Sequence, residues 1–102
     1  MAIGSITPFR PSGTVSLSAS TSSSVVALAG GGETIVVTNT TMSLAYVRLG
    51  ADPTVSATSA DMPVLATSRV MLSANSLITY AAGSLVNGTG TLLFTRGDGS
   101  FL

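Results

Sequence analysis

Apolar and hydroxyl side chains alternate along much of this chain, and this period of two is the feature that most limits its fold. In the segment 14–20, Val15, Leu17 and Ala19 alternate with serine or threonine, and the segment 33–39 is rich in β-branched residues. Such a pattern places apolar side chains on one face of a strand. No segment combines an apolar period of 3.6 residues with a helix start signal. The sequence therefore predicts strands and no helix.

Turn residues divide the chain into seven or eight short strands. We predict strands over residues 14–20, 24–29, 33–39, 43–49, 68–73, 77–82 and 91–96, with a short edge strand at Val55 and a loop or very short strand at 83–90. The glycines of 30–32 form a turn that permits positive φ. Short strands that are separated by turn residues at intervals of roughly 8–12 residues are typical of a β-sandwich or barrel. The predicted core includes the strand aromatics Tyr46, Tyr80 and Phe94.

The chain is predicted to contain an extended N-terminal arm, residues 1–13, followed by a single β domain, residues 14–102. Pro8 and Pro11 lack an amide donor and disfavour helix in the preceding residue. The arm and the C-terminus carry apolar side chains with no local core to cover them. We therefore expect partner contacts from Ile3, Ile6, Phe9, Phe101 and Leu102.

Charge is unusually scarce, because only 8% of the residues are charged against about 25% in ordinary soluble proteins. Four arginines balance four acids, lysine is absent, and sixteen serines and fourteen threonines supply most of the polarity. A surface with so little charge lacks the repulsion that keeps monomers apart. We therefore expect neighbouring subunits to cover part of it, including further copies of this chain. The absence of a basic cluster argues against nucleic acid as a partner.

Three arginines are candidate interface residues, because the planar guanidinium makes bidentate pairs and stacks on rings. In one interpretation Arg10, Arg48 and Arg69 pair with acids of a neighbouring subunit. In the other they are solvated charges that protect strands against edge-to-edge aggregation.

A membrane role is not indicated by the hydropathy pattern. Mean hydropathy is +0.60, but no apolar run approaches the roughly 20 residues of a spanning helix. A membrane barrel needs at least about eight strands of roughly ten residues each, and this chain is too short to supply them. The first residues lack the charged and apolar regions of a signal peptide. We expect no membrane partner.

The residue types also argue against catalysis. Cysteine, histidine and lysine are absent, which removes disulfides, thiolate nucleophiles and Schiff-base chemistry. The acids Glu33, Asp52, Asp61 and Asp98 lie beside turn residues or at strand edges, where acids usually stabilise turns. Calcium would need clustered oxygens that the spacing does not supply. We predict no enzyme, no catalytic residue, no metal and no cofactor.

Three short motifs have a functional and an ordinary interpretation. Arg96-Gly97-Asp98 spells an integrin-recognition tripeptide, but it also fits a turn that follows a strand. Asn39-Thr40-Thr41 and Asn87-Gly88-Thr89 match the glycosylation sequon. Without a visible signal peptide, both are predicted to be turn residues.

Several segments between residues 33 and 99 together resemble small proteins encoded in the structural gene clusters of tailed phages. The segments are Ile35–Thr41, Ala45–Gly50, Val55–Pro63, Gly88–Thr91 and Thr95–Gly99. The resemblance implies a virion protein of the head decoration, or capsid cement, type. It also implies an antiparallel β-sandwich of jelly-roll type. It supplies no individual binding residues.

The function that the resemblance implies is to decorate and stabilise a phage capsid by bridging capsid subunits. The expected partners are the major capsid protein and further copies of this chain, as a dimer or trimer. The expected location is the capsid surface of the virion, after synthesis in the host cytoplasm. The alternatives are a tail or head-fibre component and a receptor- or carbohydrate-binding β module.

Overall fold

The computed structural model describes residues 9–99, and this part of the chain forms eight strands and no helix. The strands are β1 Arg10–Ala19, β2 Ser24–Ala27, β3 Thr34–Asn39, β4 Ala45–Gly50, β5 Met62–Val64, β6 Arg69–Ser73, β7 Tyr80–Leu85 and β8 Gly90–Asp98. The strand count agrees with the seven or eight strands that the alternating pattern predicts.

The strands form two antiparallel sheets of four, with the orders β1-β8-β3-β6 and β2-β7-β4-β5. Every strand of the first half of the chain pairs with one of the second half: β1 with β8, β2 with β7, β3 with β6 and β4 with β5. The pairs are nested: the first strand pairs with the last, the second with the second-last, and so on to the central pair β4 and β5. Two further pairings, β3 with β8 and β4 with β7, join the pairs into sheets.

The core lies between the two sheets, because alternate side chains of the strands in each sheet point inward. The fully buried large side chains are those of Phe94, Ile35, Leu92, Val37, Val47, Val64 and Asn39. All but the last are apolar, and burying each stabilises the fold by about 1.5–3 kcal/mol before ordering costs. The predicted all-β fold of two packed antiparallel sheets is confirmed.

The aromatic residues of the strands do not all join this core. Phe94 is fully buried, as predicted. Tyr46 and Tyr80 are only half-buried. Because Ala45 and Val47 point into the core, Tyr46 lies on the opposite, outer face of its sheet. The prediction that Tyr46 is a core residue is wrong.

Strand pairing begins earlier than the sequence predicts. Arg10–Gly13 was assigned to the arm but belongs to β1, with a register irregularity between Pro11 and Gly13. Proline is tolerated at such an irregularity on an edge strand. The Ser12 hydroxyl donates to the carbonyl oxygen of Gly31 over 2.7 Å and accepts from the Gly31 amide over 2.8 Å. These bonds hold the start of β1, and the rest of the predicted arm, residues 1–8, lies outside the described residues.

The second half of the chain contains the other differences. The strand predicted at 77–82 is displaced, because β7 runs over Tyr80–Leu85. Gly83 belongs to this strand because it leaves room for neighbours: a Cβ there would lie 2.6 Å from Leu92 Cδ1 and 2.9 Å from Leu17 Cδ2. Residues 51–61, including Val55, form a loop. The three-residue strand β5 is not predicted by the alternating pattern.

Candidate docking site at one end of the fold

The loops of the two sheets gather at two opposite ends of the fold. The first, which we call the Met42 end, contains the loops 20–23, 40–44, 65–68 and 86–89. The second, the Gly31 end, contains the loops 28–33 and 74–79 and the start of the loop 51–61. The loop 51–61 then runs along the fold as far as the loop 20–23, where the Ala57 amide donates to the Ser23 hydroxyl over 2.8 Å. The register places the first four loops together, since Ala45 faces both Leu85 and Val64 and Asn39 faces Leu92.

The Met42 end carries exposed aliphatic side chains on three of its four loops. Met42 is 88% exposed, Leu65 is 68% exposed and Val86 is 52% exposed. Among residues 9–99, the other exposed large apolar side chains are dispersed: Val25 and Met62 on edge strands, and Leu77 at the opposite end. Exposed apolar groups that collect in one region mark interaction surfaces, whereas single ones are ordinary.

A buried polar residue of β3, Asn39, organises two of these loops. Its side chain is 1% exposed, and its amide nitrogen donates to the carbonyl oxygens of Ser43 over 2.8 Å, Val64 over 3.1 Å and Leu65 over 3.2 Å. Its side-chain oxygen accepts from the amide and hydroxyl of Thr41, over 2.9 and 2.7 Å. The loops that carry Met42 and Leu65 are therefore tied to one buried side chain.

Further hydrogen bonds join the third loop to the same frame. The Ser43 hydroxyl donates to the carbonyl oxygen of Asn87 over 2.8 Å, and the Val86 amide donates to the carbonyl oxygen of Leu44 over 2.9 Å. The Thr67 amide donates to the carbonyl oxygen of Thr41 over 3.0 Å. The loop 40–44 is thus hydrogen-bonded to both of the other loops that carry exposed apolar side chains.

The electrostatic character of the Met42 end follows from its composition. None of its four loops contains a charged residue, but the exposed Arg69 lies at its edge, directly after the loop 65–68. A cleft of about 470 Å³ lies between the segments 40–43 and 87–91, and hydroxyls, backbone groups and the Asn87 amide supply its polarity. Such groups can hydrogen-bond a partner's backbone, but they include no acid or base for proton transfer.

The Gly31 end is fixed by Arg96, which is 5% exposed. Its Nε donates to the carbonyl oxygen of Gly32 over 2.9 Å and its Nη2 to that of Asn75 over 2.8 Å. Its Nη1 donates to the carbonyl oxygen of Ile78. One guanidinium therefore joins the loops 28–33 and 74–79. Because Arg96 is buried inside strand β8, Arg96-Gly97-Asp98 does not form an exposed recognition loop.

The acids hold loop backbone rather than converge on one site. The Asp98 carboxylate accepts from the Glu33 amide over 3.1 Å, and that of Asp61 accepts from the Thr58 amide over 2.7 Å. The carboxylate of Asp52 accepts from the hydroxyl and the amide of Thr54. These bonds lower the pKa of the exposed Asp52 carboxyl, the hydroxyl having the larger effect.

The predicted interface arginines are dispersed over the fold. Arg48 forms an ion pair within the chain with Asp61, with 3.6 Å between Nη1 and Oδ1. The Arg48 guanidinium therefore has an acidic partner without a neighbouring subunit. A surface pair of this kind contributes about 0–1 kcal/mol. Arg10 is exposed at the start of β1, and Arg69 is exposed at the start of the edge strand β6. The structure does not bring the three together.

The predicted apolar contacts at the chain ends fall mostly outside the described residues. Ile3, Ile6, Phe101 and Leu102 belong to residues 1–8 and 100–102, whereas Phe9 is half-buried. The described chain begins and ends at the Gly31 end, where Arg10 lies opposite Asp98.

Within residues 9–99, no group of three or more acidic, histidine or cysteine side chains is arranged to hold a metal ion. No helix in this range is long and apolar enough to cross a membrane.

No family model, curated protein or solved structure matches this chain. The functional proposal therefore depends on the contacts described above and on the resemblance in sequence.

The residues that define the two ends are not predicted by the sequence pattern. Met42, Leu65 and Val86 are far apart in the sequence, and no periodicity connects loops that meet only through strand pairing. Asn39 is predicted to end the strand 33–39 and begin a turn, and it is the last residue of β3 with its side-chain oxygen bonded to Thr41. Its burial, however, follows from the folded arrangement of two loops. Exposed apolar residues flanked by turn residues are the one sequence pattern that could have pointed to this end.

Proposed function

We propose that this chain is a structural virion protein that decorates and stabilises a phage capsid by bridging capsid subunits. In the same proposal it acts as a dimer or trimer on the capsid surface, after synthesis in the host cytoplasm. Its partner is the major capsid protein, and it performs no catalytic step.

The observation that carries the proposal is the nested pairing of β1 with β8, β2 with β7, β3 with β6 and β4 with β5. We interpret this eight-stranded, two-sheet order as a jelly roll. Viral capsid proteins use this fold, as do lectins and cupins. A fold alone does not define a function, so the surface of the molecule must also suit binding to a capsid protein.

The surface agrees with protein docking in two respects. Eight charged residues in a chain of 102 leave large uncharged areas, and such areas can be buried against protein without stripping water from ions. The exposed large apolar side chains of residues 9–99 are all aliphatic. A carbohydrate-binding module would instead present aromatic rings on its loops, so protein is the better-supported partner.

Cementing a shell does not require a strong single contact. Burial of apolar surface contributes about 25 cal/mol per Å² before the costs of association are subtracted. When several ends of one oligomer bind neighbouring capsid subunits, the second and third contacts form at a high effective concentration. A small domain with modest contacts can therefore stabilise a large particle.

The test is the copy number of the chain in purified virions, measured by quantitative mass spectrometry against the major capsid protein. The proposal predicts hundreds of copies per particle. A handful of copies would favour a tail or fibre component. Absence of the chain from the virion would overturn the proposal.

A further inference from the structure

We propose that the Met42 end is the surface that docks on the shell, and that its partner is an uncharged, apolar patch of the shell protein. This inference depends on the proposed function and specifies which part of the chain performs it. It differs from the expectation that residues 1–13 and 100–102 make the contact, because the described chain begins and ends at the Gly31 end.

The exposed apolar side chains are concentrated at the Met42 end. Met42, Leu65 and Val86 lie on three separate loops that share one end, with exposures of 88%, 68% and 52%. Binding energy at protein interfaces is usually concentrated in a few central apolar or aromatic side chains. The Met42 end supplies such a group, whereas Leu77 stands alone at the Gly31 end.

The three loops of the Met42 end that carry these side chains are preorganised for binding. Ordering a loop on binding subtracts from affinity, at roughly 0.5–1.5 kcal/mol for each immobilised long side chain, and more when backbone is ordered as well. The buried Asn39 side chain and the bonds from Ser43, Thr67 and Val86 already fix the three loops to one another. The end can therefore bind as a rigid surface.

Charge is scarce at the Met42 end. Its four loops contain no charged residue, and the exposed Arg69 lies at its edge, directly after the loop 65–68, whereas Glu33, Asp52 and Asp98 lie at the Gly31 end. A charged partner group buried against the four loops would lose its hydration without gaining an opposite charge from them. The complementary partner is therefore a protein surface that is apolar and uncharged where it faces Met42, Leu65 and Val86.

The small area of the end face disfavours a second copy of the chain as the occupant. The molecule measures 46 × 27 × 22 Å, and the ten residues of β1 extend about 33 Å, so the strands follow the longest dimension. An end face of 27 × 22 Å covers roughly 600 Å², and two facing copies bury at most about 1,200 Å², the lower limit of a standard stable interface. The end is better suited to one of several contacts on a repeating shell.

The experiment measures binding of the full chain to purified phage heads that lack it, by cosedimentation over a dilution series. The test variant combines Met42→Ser, Leu65→Ser and Val86→Thr, and the matched control is Leu77→Ser, which removes an equally exposed apolar side chain from the other end. Urea denaturation should first show that both variants keep the wild-type midpoint.

We expect the triple variant to bind at least about a hundredfold more weakly, because each lost apolar contact contributes on the order of tenfold in affinity. The Leu77→Ser variant should bind within about threefold of the wild type. If the wild type binds and the triple variant binds equally well, the Met42 end is not the docking surface, although the proposed function stands. If the wild type does not bind the heads, both the proposed function and this inference are wrong.

Discussion

The side-chain amide of Asn39 donates to the carbonyl oxygen of Leu65 over 3.2 Å, which joins a buried position of β3 to an exposed apolar loop. The same amide also bonds Ser43 and Val64. One buried polar side chain thus fixes both the fold and the shape of the Met42 end. This coupling makes Asn39 the most informative single position for stability.

Asn39→Ala should lower the free energy of unfolding by about 2–4 kcal/mol, because it takes the acceptor from the buried Thr41 amide and a donor from three carbonyl oxygens. Asn39→Asp should be at least as harmful, since it sets a carboxylate against carbonyl oxygens that need donors. Urea denaturation measures both. The control is Asn87→Ala, an exposed asparagine at the same end, which should change stability by less than about 1 kcal/mol. Equal effects at positions 39 and 87 would contradict the role of the buried network.

Arg96→Met should destabilise the protein by about 2–3 kcal/mol, because three carbonyl oxygens of two loops lose the guanidinium as a donor and only one of them, that of Asn75, has a second donor in the Ile78 amide. Arg96→Lys keeps the charge but not the planar fork, so its effect should be intermediate. The control is Arg48→Met, which removes an exposed ion pair and should cost less than about 1 kcal/mol. Thermal unfolding followed by circular dichroism compares the three variants. A loss for Arg48→Met that matches Arg96→Met would show that burial of Arg96 has no special effect.

The sequence correctly predicts strands in which apolar and polar residues alternate along the chain. It fails where contacts with residues distant in sequence determine whether a residue belongs to a strand. Val15 and Leu17 alternate with hydroxyl residues, and Ile35 and Val37 are β-branched, so their strands are correctly located. Gly83 looks like a turn residue but lies inside β7, because the side chains of Leu17 and Leu92 occupy the space beside it.

The residues of the candidate site are harder to predict for the same reason. Arginine is usually exposed, so nothing local to Arg96 indicates that backbone carbonyls from two distant loops surround it. Leu65 and Val86 are brought to one end by the pairing of β4 with β5 and β7. Strand order is a property of the whole chain, and the local pattern contains no record of it.

Gly32→Ala should be strongly destabilising and Gly31→Ala should not, although the two glycines are adjacent. Gly32 has a φ of 120°, and a Cβ there would overlap the Gly97 backbone. The substitution should cost about 2 kcal/mol or more. A Cβ at Gly31 meets nothing within 4 Å, so that variant should stay within about 1 kcal/mol of the wild type. Urea midpoints distinguish the two, and a reversed order would contradict the described turn.

The Asp52 carboxyl should titrate below its ordinary value, and Thr54→Val should move its pKa back upward. The Thr54 hydroxyl makes the largest contribution to the lowered pKa, and the backbone bond to the same residue remains in the variant. A folded-state pKa below the unfolded one stabilises the protein above the ordinary value of 3.8. That contribution is lost as the pH falls through the lowered pKa. Carbon-detected NMR titration measures the shift, with Thr58→Val as a control that should leave Asp52 unchanged. An unchanged pKa in Thr54→Val would show that the hydroxyl does not cause the shift.

The most direct test of the capsid-decoration proposal is a cryo-electron microscopy reconstruction of intact virions. The proposal predicts repeated density on the outer capsid surface that fits the two four-stranded sheets, with the loops of Met42, Leu65 and Val86 against the shell. Density for this chain in the tail alone, or no density for it in the particle, would contradict the proposal.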